Sequence, residues 1–270
     1  MFQSIGFIGT GNMGSALARA ADRGAPEGAV LYLANRTGAK AQALAEQLTR
    51  GRASTNEEIA RTCGLIFLGV KPQMMAQALS ELAPLFARRG DRFVLATMAA
   101  GLSCARVREL AGGEYPVIRL MPNTPAAIGA GVVQYCGLGV RQEELDAFAA
   151  LLAPAGLVDP VPEGLIDAAS AVSGCGPAFA YLFIEALADG GVACGLPRDK
   201  ALRYAAQMAA GAAAMVLESG KHPGALKDAV CSPGGTTIRG VRALEEGGFR
   251  AAAMDAVIAA YEKTLELAGK

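Results

Sequence analysis

The sequence predicts an α/β chain in two parts: a doubly wound parallel sheet, followed by a bundle built only of helices. Three observations carry this prediction. From Ile5 to Val158, short apolar runs alternate with helical patterns, as βαβ units require. After Pro162 every periodic segment has helical spacing. A glycine-rich turn, Gly9 to Gly14, directly follows the first apolar run and opens the first helix.

Ile5 to Ile8 is the first expected strand and Met13 to Arg23 the helix after it. Val30 to Ala34 reads as a second buried strand, with a helix over Ala39 to Leu48. Leu65 to Val70, Phe93 to Ala96 and Val117 to Leu120 are further apolar runs of strand length. Val132 to Tyr135 and Gly156 to Val158 are two short candidates, separated by a helix over Glu143 to Leu152. Beyond Pro162, helices are expected over Leu165 to Val172, Ala178 to Ala193, Pro197 to Glu218, Gly224 to Val230, Thr237 to Glu246 and Ala251 to Leu267. Pro197 suits a first helical position, and Gly195 the end of the preceding helix. The expected domains are 1–162 and 163–270.

Hydrophobic residues make up 52% of the 270 positions, which indicates a globular chain. Lys+Arg and Asp+Glu both number 25. That balance argues against nucleic acid or an anionic membrane as partner, since both need a basic excess. The most apolar helix, Ala178 to Val192, carries Glu185 and Asp189, which is expected to exclude a bilayer span. Met1 to Gly14 lacks the basic start and cleavage site of a signal peptide. The six cysteines form no CxxC pair and His222 is the one histidine, so zinc-ligand spacing is absent. Scattered cysteines without a signal peptide suggest reduced thiols and a cytoplasmic setting. Ala205 to Ala214 is almost all small residues. Such helices can pack closely within one chain or against a second copy.

The Gly9-Thr10-Gly11-Asn12-Met13-Gly14 turn, entered from Ile8, has the form that cradles a dinucleotide pyrophosphate. Gly9 permits the tight turn, Gly11 lets the backbone approach the phosphates, and Gly14 permits close helix packing. NAD-preferring sites place an acid about 20 residues on. Here the second strand ends in Asn35-Arg36-Thr37 instead. Arg36 can pair with a 2′-phosphate, so NADPH is expected in preference to NADH. Val70-Lys71-Pro72 and Met98-Ala99-Ala100 follow two further strands and can line the ribose and nicotinamide. Lys71 is equally compatible with a solvated strand end.

A second anion cradle lies in the helical part. Ser232-Pro233-Gly234-Gly235-Thr236-Thr237 packs three hydroxyls and two glycines before an amphipathic segment. A helix N-terminus with free N–H groups suits a small carboxylate. Helix capping alone would use one hydroxyl of the three.

Together these segments resemble the pyrroline-5-carboxylate reductase family. The resemblance also rests on Met121-Pro122-Asn123-Thr124-Pro125, Ser173-Gly174-Cys175-Gly176-Pro177-Ala178, Gly195-Leu196-Pro197-Arg198 and His222-Pro223-Gly224-Ala225-Leu226-Lys227-Asp228. It covers nearly the whole chain. It implies a Rossmann-type cofactor domain, an all-α dimerisation domain, and NAD(P)H-dependent reduction of 1-pyrroline-5-carboxylate to L-proline. It implies homodimers, in some relatives assembled as decamers of five dimers. By the same resemblance Thr237 stands beside the ring nitrogen as the catalytic residue. Ser232, Gly235 and Thr236 join it in holding the substrate, and Asn56 joins the cofactor contacts. Cys175 and Cys231 stand where the family commonly has Ser or Thr. Asn123 and Thr124 can serve nicotinamide or substrate, or fix their turn. His222 can cap a helix or relay a proton. A β-hydroxyacid dehydrogenase is the rival enzyme, with Lys200 or Lys227 as its lysine, and a nucleotide-binding module without turnover is the non-enzyme alternative.

Overall fold

A computed structural model describes residues 2–267. Two compact units emerge from its packing: one runs to Cys175 and includes the final helix from Ala260, and the other is Gly176–Ala259.

The first unit is built on one eight-stranded sheet. Its elements run β1 (Ser4–Ile8), α1 (Asn12–Gly24), β2 (Val30–Ala34), α2 (Gly38–Ala45), β3 (Gly51–Ala53), α3 (Asn56–Thr62), β4 (Leu65–Leu68) and α4 (Pro72–Phe86). They continue with β5 (Val94–Thr97), α5 (Cys104–Ala111), β6 (Val117–Pro122), β7 (Gly131–Leu138), α6 (Gln142–Leu152), β8 (Gly156–Pro160) and α7 (Glu163–Ser173). The strand order is β3-β2-β1-β4-β5-β6-β7-β8. All neighbouring pairs are parallel except β6 with β7. That reversal departs from the parallel sheet expected: a short 3-10 turn at Thr124–Ile128 is too brief for a crossover helix, so β7 returns beside β6.

Each sheet face has its own core. Leu17, Leu44 and Phe148 carry α1, α2 and α6 onto one face, where Phe7 and Phe67 stack at 4.4 Å. Ile59, Leu79 and Val107 carry α3, α4 and α5 onto the other. Each such ring or branched chain contributes about 1.5–3 kcal/mol by leaving water. The central strands β4 and β5 are buried throughout, which is why their sequences are continuously apolar.

Several boundaries move from expectation. The second helix ends at Ala45, three residues early. The chain must turn there because the backbone of Gly51 closes on Ala45, whose carbonyl oxygen would lie 2.8 Å from a Cβ at Gly51. Leu65 to Val70 stops being strand at Leu68. Pro197 precedes α9 rather than occupying its first position, because its own ψ of 140° is extended.

The second unit consists of helices: α8 (Gly176–Ala193), α9 (Arg198–Ser219), α10 (Pro223–Ala229), α11 (Thr236–Glu246) and most of α12 (Phe249–Leu267). Among the described residues its buried cluster is Ala188, Ala201 and Ala205, with Ile184, Leu187 and Val192 partly buried against it. Tyr181, Leu182, Tyr204, Met208, Met215 and Met254 stay exposed. α7 and α8 together, Glu163–Ala193, are long and apolar enough to cross a membrane by length and composition. Glu185 and Asp189 therefore do not remove the segment from that class, contrary to the sequence reading. Only 11% of its most apolar window is buried within the chain.

Candidate active site

The C-terminal ends of β1, β2, β4 and β5 gather the expected cofactor residues. The chain runs outward from β1 to β2 and β3, then returns to β4 on the other side of β1. Ligands bind at such a switch point. Ile8 ends β1, and Gly9 follows at φ +100°, a conformation that strains any other L-residue. A Cβ at Gly14 would lie 2.2 Å from the Gly9 carbonyl oxygen. The first turn of α1 thus presses against the strand-end turn, a closer contact than the helix–strand packing expected. Gly69 completes the knot, since its Cβ would meet the same oxygen at 2.4 Å. Sequence reasoning did not assign this glycine a role, although its place after an apolar run was the available signal.

Gly11 differs from its neighbours: a Cβ there would meet nothing within 4 Å. It is the N-cap of α1, without a side-chain cap, and the first turn holds no acid. The first-turn N–H groups of Asn12 and Met13 therefore have no side-chain cap, and they lie at the positive end of the helix. Thr10 is buried, and its Oγ1 has no hydrogen-bond partner among the described residues. A buried orphan hydroxyl is costly, and a phosphate oxygen above this turn would satisfy it. The residues present fit a dinucleotide.

Asn35, Arg36 and Thr37 sit between β2 and α2. Arg36 is exposed, without an ion pair among the described residues, and α2 has no acid in its first turn. Asn35 Nδ2 donates to the Thr37 carbonyl at 3.2 Å and shapes the turn. Asn56 is the exposed first residue of α3. Lys71 caps α4 and Pro72 starts it, with Val70 half-buried before them. Met98, Ala99 and Ala100 follow β5, and the Ala99 N–H donates to Thr97 Oγ1 at 3.3 Å.

Asn123 had two readings, and its hydrogen bonds favour the structural one. Its Nδ2 donates to the Ser173 carbonyl at 3.0 Å, and its Oδ1 accepts from the Val132 N–H at 2.9 Å. Gln134 Nε2 donates to Ser173 Oγ at 2.5 Å. These bonds fasten the end of α7 to β6 and β7. Beside them a buried ion pair, Arg119 with Asp167, joins β6 to α7. Sequence reasoning missed that pair, whose one local signal is a charge inside the apolar run Val117 to Leu120.

In the second unit, Gly234 turns the chain at φ +69° and Gly235 caps α11 in extended conformation. The Gly235 N–H donates to the Ser232 carbonyl at 3.0 Å. Thr236 and Thr237 are the first two residues of α11, one residue earlier than expected. No side chain caps this helix and no acid occupies its first turn. Ser232, Thr236 and Thr237 are exposed, and their hydroxyls have no hydrogen-bond partner among the described residues. Three unused hydroxyls at a bare helix N-terminus suit a small anion and do not serve as a cap. His222 caps the neighbouring α10, its Nδ1 accepting from the Gly224 N–H at 3.1 Å, so its one lone pair is spent on structure.

Comparison with known proteins agrees with both halves. A profile described as pyrroline-5-carboxylate reductase dimerisation matches residues 163–267, and one described as NADP oxidoreductase, coenzyme F420-dependent, matches residues 4–99. Pyrroline-5-carboxylate reductase of Pisum sativum is 42% identical over 98% of this chain and 96% of its own. That of Escherichia coli K12 is 39% identical over 99% of both. The crystal structure of pyrroline carboxylate reductase from Plasmodium falciparum, with NADP bound, superimposes with a TM-score of 0.84 at 33% identity, covering 98% of each chain. A fold of this kind, matched along its full length by these sequences, belongs to the pyrroline-5-carboxylate reductase family.

Proposed function

We propose that the chain reduces 1-pyrroline-5-carboxylate to L-proline with NADPH. The observation that carries this is the uncapped turn Ser232–Thr237, with three hydroxyls that have no hydrogen-bond partner among the described residues. Reducing a cyclic imine requires a hydride at carbon and a proton at nitrogen. The bound nicotinamide supplies the hydride. Ile8, Gly9, Thr10, Gly11, Asn12 and Met13 hold its pyrophosphate, and Val70, Lys71, Pro72, Met98, Ala99 and Ala100 line the rest, with Asn56 nearby in the cofactor's reach. Near neutral pH the imine is partly protonated before it binds, so placement and one hydrogen-bond partner suffice. Ser232, Gly235 and Thr236 hold the carboxylate through hydroxyl and N–H groups. The Thr237 hydroxyl, both donor and acceptor, orients the ring nitrogen and, for imine that binds unprotonated, relays a proton from solvent to it.

Arg36 pairs with the 2′-phosphate, with Asn35 and Thr37 as neutral neighbours, and sets the preference for NADPH. The chain acts as a homodimer through the helices of the second unit. Their large exposed side chains against a core of three alanines support this, because such a core is thin. A decamer of five such dimers is the further assembly that the family resemblance suggests. The six free cysteines are consistent with a cytoplasmic setting.

Mixing the protein with pyrroline-5-carboxylate and either cofactor tests the proposal. Oxidation of NADPH with formation of proline is expected, whereas no turnover with this imine would overturn it. In the same assay Arg36→Ala lowers kcat/KM for NADPH by about tenfold or more, the scale of a lost charge-assisted bond, and leaves NADH nearly unchanged. A wild-type specificity constant for NADH at or above that for NADPH would reverse the role given to Arg36.

A further inference from the structure

We infer that Cys104, Cys136 and Glu163 form a binding site for one soft divalent cation of the Zn²⁺ class. Cys104 is the first residue of α5, Cys136 lies on β7 and Glu163 is the first residue of α7. Their ligand atoms all lie within 4.8 Å of one another. The two Sγ atoms are 3.8 Å apart. Two thiolates bound tetrahedrally at about 2.3 Å from one ion stand about 3.8 Å apart, so the sulfurs already have the spacing of one edge of a zinc site. No local motif announces it, because the three ligands come from three separate elements.

The surroundings suit the ion as well as the ligands do. The Cys104 N–H donates to Glu163 Oε1 at 2.7 Å, which holds the carboxylate in place as an outer-shell bond does. The two thiols stand within sulfur hydrogen-bond distance of each other, and either can donate. Binding a dication releases both thiol protons to solvent. Two thiolates and one carboxylate around a dication leave a single negative charge. Arg119 is the direct partner of Cys136 across the β6–β7 pair, and it is 2% exposed. Its Nε is buried with no hydrogen-bond partner among the described residues. The guanidinium charge is already balanced by Asp167, which leaves the unused Nε–H as a donor on the strand pair that carries Cys136. Cys136 and Glu163 are half-buried, which leaves a fourth position for water. The ion would lock α7 to α5 and β7.

Titration of the reduced full-length protein with Co²⁺ tests the site. The expected result is one thiolate-to-cobalt charge-transfer band that saturates at one ion per chain and disappears when Zn²⁺ displaces the cobalt. Cys136→Ser loses the band and weakens Zn²⁺ binding against a chromogenic chelator by at least about tenfold, whereas Cys194→Ser, at an exposed thiol of the second unit, keeps both. Glu163→Gln retains the acceptor for the Cys104 N–H, and decides the matter if Cys136→Ser does not fold. It keeps a thiolate band but weakens affinity on the same scale. The site is overturned if reduced wild type gives no saturable band, or if the band survives in folded Cys136→Ser. An unchanged affinity in Glu163→Gln, or a Cys104–Cys136 disulfide forming in place of metal uptake, would also overturn it.

Discussion

Thr237→Ala lowers kcat by roughly 10²–10³, the scale of losing one positioned catalytic donor, while KM for the imino acid moves far less. The split follows from where the hydroxyl acts. A group that holds the ring nitrogen strengthens its bond as that nitrogen becomes an amine, so its removal is felt in the transition state. The fold should not object. Thr237 is exposed in the first turn of α11, and its hydroxyl caps nothing. Loss of the side chain leaves no buried orphan, so Tm stays near wild type. Thr237→Ser restores the hydroxyl and most of the rate. Steady-state kinetics on folded variants, with Tm as control, check this. Wild-type turnover in Thr237→Ala would remove Thr237 from the mechanism.

The second large effect separates two glycines three residues apart. Gly14→Ala places a methyl 2.2 Å from the Gly9 carbonyl oxygen. The obstacle is backbone, so either the strand-end turn or the helix must shift, at about 1–3 kcal/mol. Gly11→Ala meets no protein atom within 4 Å and changes stability by about 1 kcal/mol or less. Its methyl instead stands where a pyrophosphate approaches the backbone, and NADPH affinity falls by at least about tenfold. Thermal unfolding and NADPH binding, measured on both variants, should give opposite patterns. Gly14→Ala lowers Tm by several degrees, and Gly11→Ala keeps Tm but loses cofactor. Wild-type NADPH affinity in Gly11→Ala would show that the cofactor does not lie over this turn.

What the sequence made legible follows from how local each signal is. The β1–turn–α1 unit was visible because its glycines, its apolar strand and its helix adjoin one another. The Ser232–Thr237 turn was visible for the same reason. β3 went unseen because it is three residues long and only half-buried. The antiparallel turn of β7 leaves no trace in periodicity, since pairing direction is set by the connection and not by the pattern of side chains. Asn123 and Ser173 belong to family motifs, yet only the fold shows that they hold each other. Arg119 finds Asp167 48 residues away, and the Cys104–Cys136–Glu163 cluster is likewise assembled by topology alone.

The most direct test is a crystal structure of the protein with NADP⁺ and L-proline. The account predicts the proline carboxylate bonded to Ser232, Gly235 and Thr236, with the ring nitrogen within hydrogen-bond distance of Thr237 Oγ1. Proline bound away from that turn, with another side chain at its nitrogen, would contradict it.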